Sequence, residues 1–255
     1  MSGIGIATDE GITVVTIDRP QARNAVDPQS GIRLREAFEA FEADADAKVA
    51  ILTGAGGVFC AGADLKAVAA GSAGFDPEGP GYMGPTRMLL SKPVIAAIEG
   101  PAVAGGLELA LWADLRVASR TAVFGVYCRR WGVPLIDGGT IRLPRLIGQS
   151  RALDMILTGR PVESEEAFAI GLANRIVPAG EALAAALGLA REIARFPQGC
   201  MRIDRMSAHR QWSLPEDEAL LAEARAAGPT ILAAAMEGAA RFASGLGRGG
   251  DFGEI

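Results

Sequence analysis

Along the chain the apolar residues change period several times. GITVVTID (11–18) is rich in β-branched residues and stops at Arg19-Pro20, which predicts a first strand. From Asp27-Pro28 the spacing becomes helical: Asp27 suits an N-cap, Pro28 a first turn, and Leu34, Phe38 and Phe41 recur on one face. KVAILTG (48–54) and PVIAAIEG (93–100) are short apolar runs that end in glycine, the pattern of buried strands. Between them, residues 70–85 hold five glycines and three prolines and read as loop, followed by TRMLLS (86–91), which reads as helix. GGLELALWAD is predicted helical, and DLRVAS (114–119) and AVFGV (122–126) return to strand.

Buried-looking strands alternating with short helices predict an α/β fold built on parallel strands. No sequence repeat of fixed period is present. After about residue 138 the texture turns helical. Leu189, Ile193 and Phe196 share one helical face, and Leu232, Ala235, Met236, Ala239 and Phe242 share another. Such wide, alanine-rich apolar faces suit either a subunit interface or packing on the core.

Composition narrows the function. The chain has 255 residues, 49% of them hydrophobic, enough for one large core. Its formal net charge of −5 argues against a nucleic-acid binder with a broad basic face. Cys60, Cys128 and Cys200 are odd in number, far apart and form no C-x-x-C, which points to a reducing compartment rather than a disulfide or zinc framework. With no signal-like N-terminus and no apolar run of spanning length, the expectation is a soluble cytoplasmic protein with no membrane partner.

Familiar motifs fail one by one. A dinucleotide fingerprint begun at Gly54 meets Phe59 where its third glycine belongs. GQSRA (148–152) has Ala152 in place of the final glycine of a nucleophile elbow. The single histidine, His209, lies in a helical stretch with nothing to suggest a triad, and there is no Walker loop and no H-E-x-x-H. What remains is a pair of strand-to-helix passages, GGVFCAGADLKA (56–67) and GPAVAGGLELA, each placing small residues where a helix or turn begins. Bare backbone there leaves N–H groups without intrahelical partners, and two such groups converging on one oxygen would form an oxyanion hole. Taken singly, the glycines are equally explained by tight packing.

Together with RPQARNAVD (19–27), VFCAGADL (58–65), KPVIAAIEGPAVAGGLELALWADLRVA (92–118), GGTIRLPRLIG (138–148) and LTGRPVESEEAFAIGLANRIVP (157–178), these passages closely resemble the crotonase superfamily, the enoyl-CoA hydratase/isomerase family. The resemblance spans nearly the whole chain. It implies a crotonase-like spiral of ββα units over residues 1–195 and a C-terminal helical oligomerisation region over 196–255, forming a homotrimer or homohexamer. It implies an acyl-CoA thioester substrate, with coenzyme A as part of the substrate and no separate cofactor or metal. Its carbonyl oxygen would be held by the N–H groups of Ala61 and Gly105. Ala63, Asp64 and Leu65 would lie along the CoA, with Arg23 near its phosphates. Phe242 matches an aromatic that reaches a neighbouring subunit's CoA. The lysine that usually follows three residues later is replaced by Gly245, and Arg248 is the available substitute.

Glu108 stands one helical turn past Gly105 among Leu107, Leu109, Ala110, Leu111 and Trp112. Desolvation raises a carboxylate's pKa toward the range where general acid–base work is efficient. Glu108 matches the first of two hydratase glutamates; the alternative is a glutamate that reaches solvent or pairs with an arginine. The second glutamate's position is occupied by Cys128, whose thiol, with an ordinary pKa of about 8.5, is the wrong acid for the task. Cys128 and Trp131 are expected in the acyl pocket, with Arg129 and Arg130 available to activate the thiol if it were a nucleophile. Asp137, nine residues on, is the other candidate acid–base group; an Asp before Gly-Gly-Thr is also a natural helix cap. The leading expectation is enoyl-CoA hydration. Enoyl- or dienoyl-CoA isomerisation through Glu108 and Asp137 is the alternative. A CoA-thioester hydrolase or dehalogenase and a non-catalytic acyl-CoA-binding protein stay open because of Cys128.

Overall fold

The computed structural model describes residues 3–71 and 76–247. It opens with a hairpin of β1 (Ile4–Asp9) and β2 (Ile12–Ile17), antiparallel with Ile4 opposite Ile17. The predicted first strand is β2; β1 has no counterpart in the sequence reading. All but one of its residues are exposed, so it carries no core-facing stripe.

Helix α1 (Pro28–Ala43) begins as predicted. Asp27 accepts the Ser30 N–H at 2.8 Å, Pro28 fills the first turn, and Leu34, Phe38 and Phe41 are buried. Strand β3 (Val49–Gly54) follows, then the short α2 (Leu65–Ala69), capped by Asp64, and β4 (Val94–Ile98). The expected helix over 86–91 is not formed. A single 3-10 turn covers Pro85–Arg87 and Met88 is extended. Tertiary partners take the polar groups of this stretch: the Met88 carbonyl accepts from the Trp112 indole at 2.9 Å, and the Ser91 N–H donates to Glu42 at 2.8 Å.

Next come β5 (Pro101–Val103), α3 (Gly105–Trp112), β6 (Leu115–Ser119) and β7 (Val123–Gly125). Beyond a 3-10 turn at Tyr127–Trp131 lie α4 (Gly139–Ile147) and α5 (Gln149–Thr158). The segment expected to be helical also contributes β8 (Val162–Glu163) and, after α6 (Ser164–Ala169), β9 (Arg175–Val177). The C-terminal third is α7 (Ala182–Arg195), α8 (Gln198–Arg210), α9 (Glu216–Ala226) and α10 (Pro229–Ala243).

The strands form a six-stranded sheet, β1-β2-β3-β4-β6-β9, parallel from β2 onward, and a three-stranded sheet, β5-β7-β8. Consecutive strands alternate between the sheets, β4 to β5 and β6 to β7, and the chain advances as a spiral. One core fills the space enclosed by α1, α3 and both sheets; a second lies between α7 and the outer face of the large sheet. The Leu189 face is therefore ordinary core packing, against residues such as Ile51, Ile95 and Val117. None of the described residues of α8, α9 and α10 is buried. Asp114 ties α8 to the core, accepting from Arg205 at 2.9 Å and His209 at 2.8 Å.

Candidate active site

Glu108 lies in the first turn of α3, with only 2% of its surface exposed. Its Oε1 accepts two backbone N–H groups, from Asp137 at 2.8 Å and Gly139 at 2.9 Å. Burial pushes its pKa up to about 7; the neighbouring Asp137 charge adds to this, and the two N–H groups oppose it. Oε2 has no hydrogen-bond partner among the described residues, and the side chain borders a cavity of about 380 Å³.

Gly105 is the first residue of α3, so its N–H has no partner within the helix. The residue before it, Ala104, is held at φ 54°, ψ −124°, a region that favours glycine. In the other loop the N–H groups are sorted by partner. Ala61 donates to the Arg23 carbonyl at 3.1 Å, Gly62 to the Cys60 Sγ at 3.4 Å, and Asp64 to the Val26 carbonyl at 2.8 Å. Ala63 pairs with Val26 in a parallel bridge that turns its own N–H the other way, without a partner among the described residues. This corrects the donor expected at Ala61, whose N–H is engaged: the unpartnered donors are Ala63 and Gly105, and both line the cavity. The loops touch at Gly62, where a Cβ would lie 2.9 Å from both the Ala104 Cβ and the Gly105 nitrogen.

Asp137 is also 2% exposed and borders the same cavity. It does not cap α4, whose N-cap is Gly138 with no side-chain bond. Its Oδ1 accepts the Met83 N–H at 3.1 Å and the Thr86 hydroxyl. Cys128 lines the cavity, but burial and the Glu108 charge raise its pKa more than Arg129 lowers it. Arg130 lies over the Tyr127 ring, 4.2 Å from its centroid. The thiol is therefore poorly placed to act as a nucleophile. Trp131 and Tyr127 line the cavity as well.

The residues expected along the CoA divide. Ala63 and Leu65 line the cavity. Asp64 does not; its carboxylate accepts the Lys66 N–H and pairs with Arg19 at 3.2 Å, which also holds Asp27 at 2.8 Å. Arg23 is exposed outside the cavity and contributes its carbonyl to Ala61. Phe242 is exposed on α10 and does not line this cavity; Arg248 lies outside the described residues. Met83, Thr86 and Arg142, which surround Asp137, were not identified from the sequence. Thr86 and Asp137 are 51 residues apart, and neither flank signals the other. Among the described residues no metal-ligating cluster occurs, and no helix is long and apolar enough to cross a membrane.

The family model for enoyl-CoA hydratase/isomerase matches residues 7–246. Enoyl-CoA hydratase EchA19 of Mycobacterium tuberculosis is 41% identical over 214 residues, 81% of this chain and 80% of that protein. The carnitinyl-CoA dehydratase of Proteus mirabilis is 41% identical over 192 residues, 74% of this chain and 73% of its own. A crystal structure of an enoyl-CoA hydratase from Mycobacterium tuberculosis superposes with a TM-score of 0.89 at 36% identity, covering 96% of each chain.

Proposed function

Because the chain belongs to the enoyl-CoA hydratase/isomerase family and is an acyl-CoA-processing enzyme, we propose that it adds water across the double bond of a 2-enoyl-CoA, with Glu108 and Asp137 as its acid–base pair. The observation that carries this reading is the division of labour within Glu108. Oε1 is bound to the Asp137 and Gly139 N–H groups, so Oε2 is the oxygen left for chemistry, on a cavity that the Ala63 and Gly105 N–H groups also border.

The thioester oxygen accepts from Ala63 and Gly105 as it gains charge. Glu108 takes a proton from water as the water oxygen bonds to C3. The C2=C3 electron pair moves onto the thioester, and the Glu108–Asp137 pair returns the proton to C2. A carboxylate with a pKa of about 7 suits both halves of that exchange near neutral pH. The same groups serve water removal by microscopic reversibility, the direction named by the dehydratases among the relatives. Coenzyme A belongs to the substrate, and the reaction calls for no metal or further cofactor.

Ultraviolet absorbance of a short 2-enoyl-CoA tests the reading, because hydration removes the conjugation between alkene and thioester. The signal should fall with wild type and persist with Glu108→Gln and Asp137→Asn. A steady signal with wild type, with binding established by calorimetry, would overturn hydration. A second reading, double-bond isomerisation, is favoured by Cys128 at the second glutamate's position, since one carboxylate suffices to shuttle a proton. A 3-enoyl-CoA tests it.

We also propose a homotrimer or homohexamer. The exposed Leu220 and Leu221 of α9 and Leu232, Met236 and Phe242 of α10 support this. The free cysteines support a cytoplasmic location.

A further inference from the structure

We propose that Arg142 is a positioning residue: it clamps together the backbones of Thr86 and Asp137, so that the Thr86 hydroxyl stays on the Asp137 carboxylate. The proposal rests on the reading of Glu108 and Asp137 as the acid–base pair.

Arg142 projects from α4 and does not border the cavity. Its Nη1 donates to the Asp137 carbonyl at 3.0 Å and its Nη2 to the Thr86 carbonyl at 2.6 Å. These are the two residues whose side chains meet, through Thr86 Oγ1 and Asp137 Oδ1. One planar guanidinium thus spans a junction between segments 51 residues apart, and the two-pronged geometry is one an ammonium cannot reproduce. The junction has little room. At Gly81 a Cβ would collide with both Thr86 Oγ1 and Asp137 Oδ1.

A guanidinium satisfied by carbonyls keeps its charge unneutralised. Arg142 spends both of these bonds on carbonyls while the carboxylates of Glu108 and Asp137 face it. The charged groups around the pair are Glu108 on α3, Asp137 before α4, Arg142 and Arg145 on α4, and Arg87 and Asp76, which line the same cavity, Arg87 donating to the Ile136 carbonyl at 3.4 Å. From the other segments, the Tyr82 phenol and the Cys128 thiol border the same cavity, and the charges of Asp137 and Glu108 raise their respective pKa values. Arg142 favours the ionised form of Glu108, which counters the burial that raises its pKa. Two effects follow from one side chain: the bridge sets where the Asp137 carboxylate sits, and the charge makes Glu108 easier to ionise.

The experiment compares Arg142→Met, Arg142→Lys, Thr86→Val and the Arg142→Met/Thr86→Val double variant, each checked for folding by thermal melting. Arg142→Met should lower kcat roughly ten- to hundredfold with little change in KM, the scale of a misplaced catalytic group. The acidic limb of its pH profile should move to higher pH. Arg142→Lys, which keeps the charge and loses the bridge, should return the limb toward the wild-type position without restoring kcat. Thr86→Val should also lower kcat, and on the plateau above the acidic limb, where the charge effect on Glu108 drops out, the double variant should be no worse than the poorer single one, because there both act through Asp137. Additive losses, or an unmoved limb with only a lower melting temperature, would overturn the proposal. Proton uptake on binding a saturated acyl-CoA, measured by calorimetry in two buffers, separates this from failure of the hydratase reading. If wild type does not hydrate but Arg142→Met shifts the uptake, Arg142 keeps its role in a different reaction. If uptake is unchanged, the proposal falls whatever the reaction.

Discussion

Asp137 meets Glu108 through its backbone and not through its carboxylate. The Asp137 N–H lies 2.8 Å from Glu108 Oε1, while the Asp137 Oδ1 is held by Met83 and Thr86. The two acids are thus coupled by charge, without the direct carboxyl–carboxylate hydrogen bond of a proton-sharing dyad. Both residues line the cavity, and each can be tested alone.

Replacing Glu108 separates chemistry from architecture. Glu108→Gln keeps an oxygen that can accept from Asp137 and Gly139, so its melting temperature should stay near or above wild type while kcat falls by about 10² to 10⁴. Glu108→Ala removes the acceptor and leaves two buried N–H groups facing a void, a loss of roughly 2–5 kcal/mol. Turnover and urea titration of the two variants, side by side, check both statements.

The pH dependence has a definite sign. Glu108 has a pKa of about 7 when folded, against an ordinary value of 4.5, so the native state binds this proton more tightly than the unfolded chain. Its contribution to stability is full below the ordinary value, declines as pH rises toward 7 by on the order of 3 kcal/mol, and is level above. Glu108→Gln should remove that decline, read from urea midpoints at about pH 5 and about pH 8. Activity runs the other way, since the base must be ionised: kcat/KM should rise through an acidic limb near pH 7. Asp137→Asn takes away a neighbouring negative charge, and the limb in any residual activity should move to lower pH.

The loop contact at Gly62 is intolerant of a side chain. Gly62 has φ 98°, and an added Cβ would press on Ala104 and on the Gly105 nitrogen. Gly62→Ala should cost several kcal/mol or displace the oxyanion donor, with kcat falling more than binding affinity. Ala104→Gly relieves a positive φ and should stabilise the fold by about 1 kcal/mol, reduced by the freer unfolded chain. Differential scanning calorimetry and turnover of both variants test the pair.

Alkylation should rank the cysteines by burial. Cys200 is exposed and should label first; Cys128, buried with its pKa raised, should follow slowly; Cys60, pushed up to about 12, should stay unmodified in the folded protein. Mass spectrometry after timed iodoacetamide treatment gives the order. Cys128→Ala should keep turnover within a few-fold, whereas a collapse would revive the nucleophile reading.

The features legible in the sequence were those written locally. Asp27-Pro28 with Leu34, Phe38 and Phe41 announces α1 because cap, first turn and buried face lie within one short stretch. Glu108 stands out as an acid in hydrocarbon after a pair of glycines, and its burial follows. Strand β1 was invisible because an exposed edge strand needs no apolar face. The free N–H lies at Ala63 and not at Ala61, where the resemblance places the oxyanion donor, because the resemblance carries the run Ala61-Gly62-Ala63 and not which of its N–H groups is engaged. The Arg23 carbonyl decides that, from a segment far away in sequence. The setting of Asp137 was hidden for the same reason: Met83 and Thr86 reach it across the fold.

Glu108 lines the cavity while its Oε1 fastens the start of α4. This bears on how such a chain can change occupation. On the proposed mechanism, a single Glu-to-Gln change would cripple proton transfer while leaving the fastening, the proposed oxyanion donors and the cavity in place. A ligand-holding descendant thus lies one nucleotide substitution away from the enzyme, whereas most other replacements at this position forfeit the scaffold along with the reaction.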